Sequence, residues 1–135
     1  MTDYVIETRN LVKTYGDGTQ VKALDGVNLR IAAGEFVTVM GPSGSGKSTL
    51  LNMLGALDRP TEGTVLVGGE DLQQVRDLDT FRARQVGFIF QLHNLIPTLT
   101  ARENVEVPMM GQPIGRGKRK KRAEELLELV GLGHR

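Results

Sequence analysis

The chain has 135 residues, of which 39% are hydrophobic and 24% are charged, and its net charge is +1. This length suits one domain with one core, and the near-neutral charge predicts no nucleic-acid partner. Because there is no cysteine, disulfides and thiolate metal sites are excluded. No apolar run reaches the roughly 18 residues of a membrane span. The polar start at residues 1–3 is unlike a signal peptide.

The first third of the chain is predicted to be mostly antiparallel sheet. Residues 4–12 are rich in β-forming types and predict a first strand, which a glycine-containing turn at residues 16–18 follows. Residues 21–24 are a short strand candidate, and residues 27–31 alternate apolar with polar types, as a half-buried strand does. Tyr15, an aromatic residue in this glycine-flanked turn, is a candidate for stacking on a base.

The next segment carries the strongest signal in the chain, a match to the phosphate-binding pattern G-x-x-x-x-G-K-[ST]. The matching residues are Gly41, Pro42, Ser43, Gly44, Ser45, Gly46, Lys47, Ser48 and Thr49. Glycines let backbone N–H groups face phosphate oxygens, while Lys47 would contact the β- and γ-phosphates and Ser48 would contact Mg²⁺.

The flanks of this loop support a nucleotide site. Residues 36–40 predict a strand buried on both faces, and residues 50–57 predict a helix that is apolar nearly all round and ends at residues 58–60. The alternative, a Gly/Ser loop that merely joins a strand to a helix, is disfavoured by this context.

The region after the first helix is predicted to alternate between strand and helix. Residues 63–69 predict a strand that ends in a Gly-Gly turn, and residues 77–85 predict a short helix whose inner face carries Leu78 and Phe81. Residues 86–90 predict another buried strand, and residues 92–97 predict a loop with exposed apolar side chains.

Two helices are predicted for the last third. Thr100 and Glu103 have the spacing of a capping box for a helix from Ala101, which Pro108 should end or kink. Residues 111–117 predict a linker. The inner face of the last helix, which Gly131 should stop, is predicted to carry Ala123, Leu126, Leu127 and Val130.

Three further features have more than one interpretation. Gln91 ends a predicted buried strand, where ligand groups collect in α/β sheets, so it is either a contact for Mg²⁺ or its water or a plain strand-end residue. The basic run at residues 118–122 is either a solvated helix face, the favoured interpretation, or a contact for anionic lipid or a partner. His93 and His134 lack metal-ligand spacing and are interpreted as surface residues.

Taken together, these stretches resemble the ATP-binding cassette (ABC) ATPases, the motor subunits of ABC transporters. The matching stretches are residues 11–16, residues 41–52, residues 57–63, and residues 87–91 with 94–97. The last two of these four are most similar to the branch of lipoprotein release and macrolide-type efflux. The resemblance covers essentially the whole chain. It implies an α/β P-loop NTPase fold with a three-layer core and an antiparallel β-subdomain, in one nucleotide-binding domain over residues 1–135.

The resemblance also implies roles, cofactors and partners. ATP would stack on Tyr15 and bind residues 41–49, Ser48 and Gln91 would contact Mg²⁺, and Lys47 and Gln91 would serve catalysis. A transmembrane permease would dock near Gln91–Leu99 on the cytoplasmic face of the cell membrane. The full-length parent would form a homodimer, whereas this chain, which has no signature, should not form that closed dimer. The docking surface would expose Leu92, Leu95, Ile96 and Leu99.

Other family motifs do not occur in this sequence. It has no Leu-Ser-Gly-Gly-Gln signature, no second acidic strand motif with a general base and no switch histidine, and Glu70-Asp71 lies in a predicted turn. We therefore expect an N-terminal portion, truncated before the signature, with an exposed apolar sheet edge that promotes self-association. One alternative is a fragment that binds Mg-ATP without turnover; a nucleotide kinase or GTPase is disfavoured, because neither needs Tyr15 or the Gln91 stretch.

Overall fold

The computed structural model describes residues 4–134, so the polar start at residues 1–3 lies outside the described residues. Its elements are β1 (Tyr4–Tyr15), β2 (Val21–Ala32), α1 (Lys47–Leu54), β3 (Glu62–Val67), β4 (Glu70–Asp71), α2 (Leu78–Gln85), α3 (Ala101–Glu106), a 3-10 turn (Val107–Met109) and α4 (Arg116–Leu129). They fall into two compact units, the first ending at Val86 and the second beginning at Gly87. Among residues 4–134, no helix combines the length and the apolarity that crossing a membrane requires.

The first unit is built on an antiparallel sheet, as predicted. Its strand order is β2-β1-β3-β4, and every neighbouring pair is antiparallel. The two predicted segments at residues 21–24 and 27–31 are parts of the single strand β2. Gly63 has a φ of +80°, and a Cβ there would lie 2.2 Å from the Asn10 carbonyl oxygen, so only glycine fits where β3 passes the irregular part of β1.

The core of this unit lies between the sheet and helices α1 and α2. α2 has the predicted position, with Asp77 as its N-cap and Phe81 buried. The helix predicted over residues 50–57 is apolar nearly all round, but it is not buried all round, because Leu51 on α1 and Leu57 beyond its end are exposed. The buried set comprises Leu11, Leu24, Met53, Leu54, Ala56, Val65, Val67, Leu72 and Phe81.

Helix α1 ends earlier than residues 58–60, where the sequence predicts its stop. Its end is a Schellman motif, in which the Ala56 N–H donates to the Met53 carbonyl and the Leu57 N–H donates to the Asn52 carbonyl. Ala56 takes the left-handed position with a φ of 56°. The turn that follows leads directly to Asp58, which contributes to the candidate site.

Two predicted strands do not form within the described residues. Neither residues 36–40 nor residues 86–90 pair with another described segment, and Phe36 is 95% exposed. A central strand exists only when neighbours accept and donate hydrogen bonds along it, and β-rich composition supplies no neighbour. Glu70 and Asp71 also differ from the prediction, because they pair with Val67 and Leu66 as the short strand β4 instead of forming only a turn.

The second unit packs α3 against α4. The capping box is confirmed: the Glu103 N–H donates to Thr100 Oγ1 over 3.2 Å, and the Thr100 N–H donates to Glu103 Oε2 over 2.8 Å. Arg102 joins the two helices through Glu106 on α3 and Glu124 on α4, at 3.3 and 3.5 Å.

Helix α4 begins inside the predicted linker at residues 111–117, and its inner face is shorter than predicted. Ala123 and Leu127 are buried, but Val130 lies beyond the helix and is exposed. Gly131, with a φ of 76°, follows the helix end as expected.

Candidate nucleotide site

The predicted phosphate-binding segment forms a loop that leads directly into α1. Gly46 is the N-cap of this helix, with a φ of +87°. A Cβ at Gly46 would lie 2.5 Å from the carbonyl oxygen of Ala23 on β2. The loop therefore reaches the start of β2 only because this residue is glycine.

The loop and the first turn of α1 present a group of free backbone donors. The Ser45 N–H donates to the Pro42 carbonyl and the Leu50 N–H to the Gly46 carbonyl, and no side chain caps the helix. Within residues 4–134, no acceptor is bound by the N–H groups of Gly44, Gly46, Lys47, Ser48 and Thr49. Free donors and the positive end of the helix dipole together favour an anion.

The Lys47 ammonium lies over the same loop. Its Nζ donates to the carbonyl oxygens of Gly41 and Pro42 over 2.8 and 2.7 Å, and it lies 3.4 Å from Ser45 Oγ. Phosphate oxygens are charged and are stronger acceptors than these neutral carbonyls. The Ser48 hydroxyl is exposed on the first turn of α1, so both predicted side chains are available to a ligand.

Tyr15 is the last residue of β1, so its predicted location in the following turn is wrong. It pairs with Val21, two residues before Ala23, against which Gly46 lies. Tyr15 and the phosphate-binding loop thus both adjoin the first residues of β2. The residue is 42% exposed, and its hydroxyl donates to Asp58 Oδ2 over 3.2 Å.

A lysine and a carboxylate surround Tyr15. Lys13 Nζ lies 4.9 Å from the centroid of the Tyr15 ring, donates to the Arg59 carbonyl over 2.8 Å and pairs with Asp58 Oδ2 at 2.8 Å. Burial acts to raise the pKa of Asp58, but hydrogen bonds from Lys13, the Arg59 N–H and Tyr15 outweigh it and hold that pKa below its usual value. The carboxylate is therefore held in its charged form.

The sequence analysis did not identify Lys13 or Asp58. One signal could have revealed Lys13: residues two apart on a strand share a face, which brings Lys13 and Tyr15 together. Asp58 is 43 residues from Tyr15 along the chain, and no pattern in the sequence connects them.

Gln91 belongs to the second unit and is exposed. It follows residues 86–90, which are not a strand, so its predicted place at a strand end is wrong. The exposure predicted for the loop is confirmed for Leu92, Leu95 and Ile96, whereas Leu99 is half-buried.

The remaining polar candidates lie at the surface. His93 and His134 are exposed, and within residues 4–134 no group of three or more His, Cys, Asp or Glu side chains could hold a metal ion. In the basic run, Lys120 pairs with Glu124 at 4.0 Å and Arg122 pairs with Glu125 at 3.3 Å.

Comparison with known proteins gives one consistent result. Residues 24–135 match the family model described as ABC transporter. The chain is 52% identical to an uncharacterized ABC transporter ATP-binding protein of Thermotoga maritima, over 97% of this chain and 57% of that protein. It is 47% identical to the lipoprotein-releasing system ATP-binding protein LolD of Geobacter metallireducens, over 97% of this chain and 60% of LolD.

A solved structure shows the same fold. It is the dimeric post-hydrolysis state of the ATP-binding cassette MJ0796 bound to ADP and Pi, with a TM-score of 0.82 and 45% identity over 93% of this chain and 57% of that chain. The match confirms the predicted fold class. The chain thus spans little more than half the length of the relatives it matches.

Proposed function

Because this chain belongs to the ABC transporter family, we propose that it holds the nucleotide in an ATP-binding subunit that couples ATP binding and hydrolysis to transport by a separate membrane subunit. The observation that carries the proposal is the phosphate-binding loop. Its free N–H groups, the N-terminus of α1 and Lys47 converge on one exposed surface of the first unit.

In this proposal, the loop and Lys47 bind the phosphates, and Tyr15 binds the base. Residues 41–49 bind the phosphates through backbone N–H groups, and Lys47 exchanges its carbonyl partners for the β- and γ-phosphate oxygens. Tyr15 offers a partly exposed ring to adenine. Stacking on one ring tolerates either purine, whereas a GTPase pocket would reject ATP, so competition between ATP and GTP separates these alternatives.

Mg²⁺ suits the oxygen ligand that this loop offers. The Ser48 hydroxyl is an oxygen ligand on the first turn of α1, and the proposal gives Gln91 a second contact. When bound, the ion would neutralise charge on the phosphate oxygens. Since the described residues offer no cluster of carboxylates or histidines for a metal, the ion would depend on the nucleotide itself, and metal binding should require ATP.

The partner surface in this proposal is the exposed apolar loop at residues 91–99, defined here as the 91–99 loop. Leu92, Leu95 and Ile96 are exposed there, and exposed apolar side chains grouped in one loop mark interaction sites. We propose that this loop contacts the membrane subunit and that the protein lies on the cytoplasmic face of the membrane. A homodimer of the whole protein is part of the same proposal.

Turnover distinguishes the main proposal from its alternative, a chain that holds Mg-ATP without hydrolysing it. Hydrolysis needs a group that orients or deprotonates the attacking water. Among residues 4–134, no carboxylate or histidine forms a hydrogen bond with the phosphate-binding loop. The family match does not favour the alternative, so phosphate release decides between the two.

The test is phosphate release from Mg-ATP by the 135-residue chain, by Lys47→Ala and by Lys121→Ala. Lys121 is an exposed lysine of α4, so this control also removes one charge. Release that disappears only in Lys47→Ala would show turnover by these residues. Binding without release would support the alternative, and the absence of both would refute the nucleotide site.

A further inference from the structure

We propose that Lys13 and Asp58 are positioning residues, which hold the Tyr15 ring by one face and by its hydroxyl so that the opposite face receives the base. This inference rests on the proposed nucleotide-binding function and extends it from the phosphates to the base. It assigns a binding task to two residues that, within residues 4–134, form no hydrogen bond or ion pair with the phosphate-binding loop.

The three side chains form a closed arrangement. Asp58 Oδ2 accepts from Lys13 Nζ over 2.8 Å and from the Tyr15 hydroxyl over 3.2 Å. The same Lys13 Nζ lies 4.9 Å from the Tyr15 ring centroid. The ring is thus held at its hydroxyl and on one face, which leaves it little freedom to rotate.

Lys13 occupies that face stably because its other donors are satisfied. An ammonium has three donors, and here one faces Asp58 and a second faces the Arg59 carbonyl over 2.8 Å. Lys13 is half-buried, whereas Tyr15 is exposed over 42% of its surface. The lysine therefore covers one side of the ring while the ring keeps an accessible surface for a base.

The backbone connects this arrangement to the phosphate-binding loop. Asp58 follows the Schellman turn of α1, the helix whose first residue is Lys47. Tyr15 pairs with Val21 on β2, and Gly46 packs against Ala23 on the same strand. The ring is thus fixed to the loop through both a helix and a strand, which sets the position of the base relative to the phosphates.

A fixed ring increases affinity for a base because less side-chain freedom is lost on binding. Stacking on an aromatic ring changes affinity by a few-fold to about ten-fold. Loss of the contacts from Lys13 and Asp58 should remove part of this gain in affinity for the base and leave phosphate binding unchanged. This separation distinguishes positioning from a general structural role, which would weaken both.

The experiment measures the affinities of the 135-residue chain for Mg-ATP and for Mg-tripolyphosphate by calorimetry. The ratio of the two affinities reports the base alone. Tyr15→Ala should lower this ratio about 5- to 10-fold, and Lys13→Met about 3- to 5-fold. Lys13→Arg, which keeps a cation, should restore most of the ratio, and Lys22→Met is the matched control on β2.

A double-mutant cycle makes the test specific. In a Tyr15→Ala background, Lys13→Met should no longer change the ratio, because there is no ring to hold. Where Lys13→Met does not fold, as judged by circular dichroism, Asp58→Asn replaces it, and the ratio should again fall only when Tyr15 is present.

The outcomes separate the two proposals. If the wild-type chain binds neither ligand, the proposed function fails. If it binds ATP more tightly than tripolyphosphate but Lys13→Met and Asp58→Asn leave the ratio unchanged or raise it, only the positioning role is overturned. An equal fall for both ligands would also overturn it and make Lys13 and Asp58 purely structural.

Discussion

Replacing Gly46 by alanine should destabilise the first unit much more than replacing Gly44. Both glycines have left-handed backbones, with φ values of +87° and +79°, so alanine costs about 1 to 2 kcal/mol of conformational strain at either position. Only Gly46 has a close neighbour: its new Cβ would lie 2.5 Å from the Ala23 carbonyl oxygen and 3.3 Å from Leu24 Cδ2, whereas nothing lies within 4 Å at Gly44.

The difference between the two variants isolates this collision. Forcing a methyl group against packed atoms adds about 1 to 3 kcal/mol. The total for Gly46→Ala is then about 2 to 5 kcal/mol, against about 1 to 2 kcal/mol for Gly44→Ala. The Ala23 carbonyl is backbone within β2 and cannot rotate away as a side chain would, so the loop must move instead.

Urea unfolding followed by circular dichroism, without nucleotide, measures both variants. A lower midpoint with an unchanged dependence on urea concentration reports a loss of stability. The reasoning would be refuted if Gly44→Ala were as destabilising as Gly46→Ala, or if Gly46→Ala lowered the free energy of unfolding by less than about 1 kcal/mol.

Three other predictions concern stability, acidity and association. Thr100→Ala removes the capping box of α3 and should lower the free energy of unfolding by about 1 kcal/mol, whereas Thr98→Ala, at an exposed site, should change it little; equal effects would contradict the cap. The pKa of Asp58 is lower in the folded chain than in the unfolded chain. The charged carboxylate therefore stabilises the fold fully at pH values above its pKa in the unfolded chain, and this stabilisation is lost as the pH falls through its pKa in the folded chain. Asp58→Asn should therefore lose less stability than the wild type below about pH 4; parallel pH profiles would refute this. Phe36 and Ile89 are exposed in unpaired segments, so light scattering should show self-association that grows with concentration and falls in Phe36→Lys, and a monodisperse monomer would contradict it.

Local features of the fold were predictable from the sequence. The capping box of α3 depends on residues three apart, and the alternation of β2 depends on neighbours two apart, so both patterns are visible in the chain. The phosphate-binding loop is equally local, since its glycines, Lys47 and Ser48 lie within nine residues.

The features that the sequence did not reveal depend on distant partners. Residues 36–40 have strand composition, but a strand needs neighbours, and residues 4–134 supply none. The exposure of Leu51 depends on which face of α1 packs on the sheet. The contact between Tyr15 and Asp58 joins residues 43 apart, and it results from the turn after α1.

The central claim is that the loop at residues 41–49 binds the phosphates of ATP, and equilibrium titration with a fluorescent ATP analogue and Mg²⁺ tests it directly. The wild-type chain should bind, Lys121→Ala should bind equally well, and Lys47→Ala should bind about 10- to 100-fold more weakly, as expected for a lost charge-assisted hydrogen bond. Equal binding by Lys47→Ala and the wild type, or no binding by the wild type, would contradict the claim.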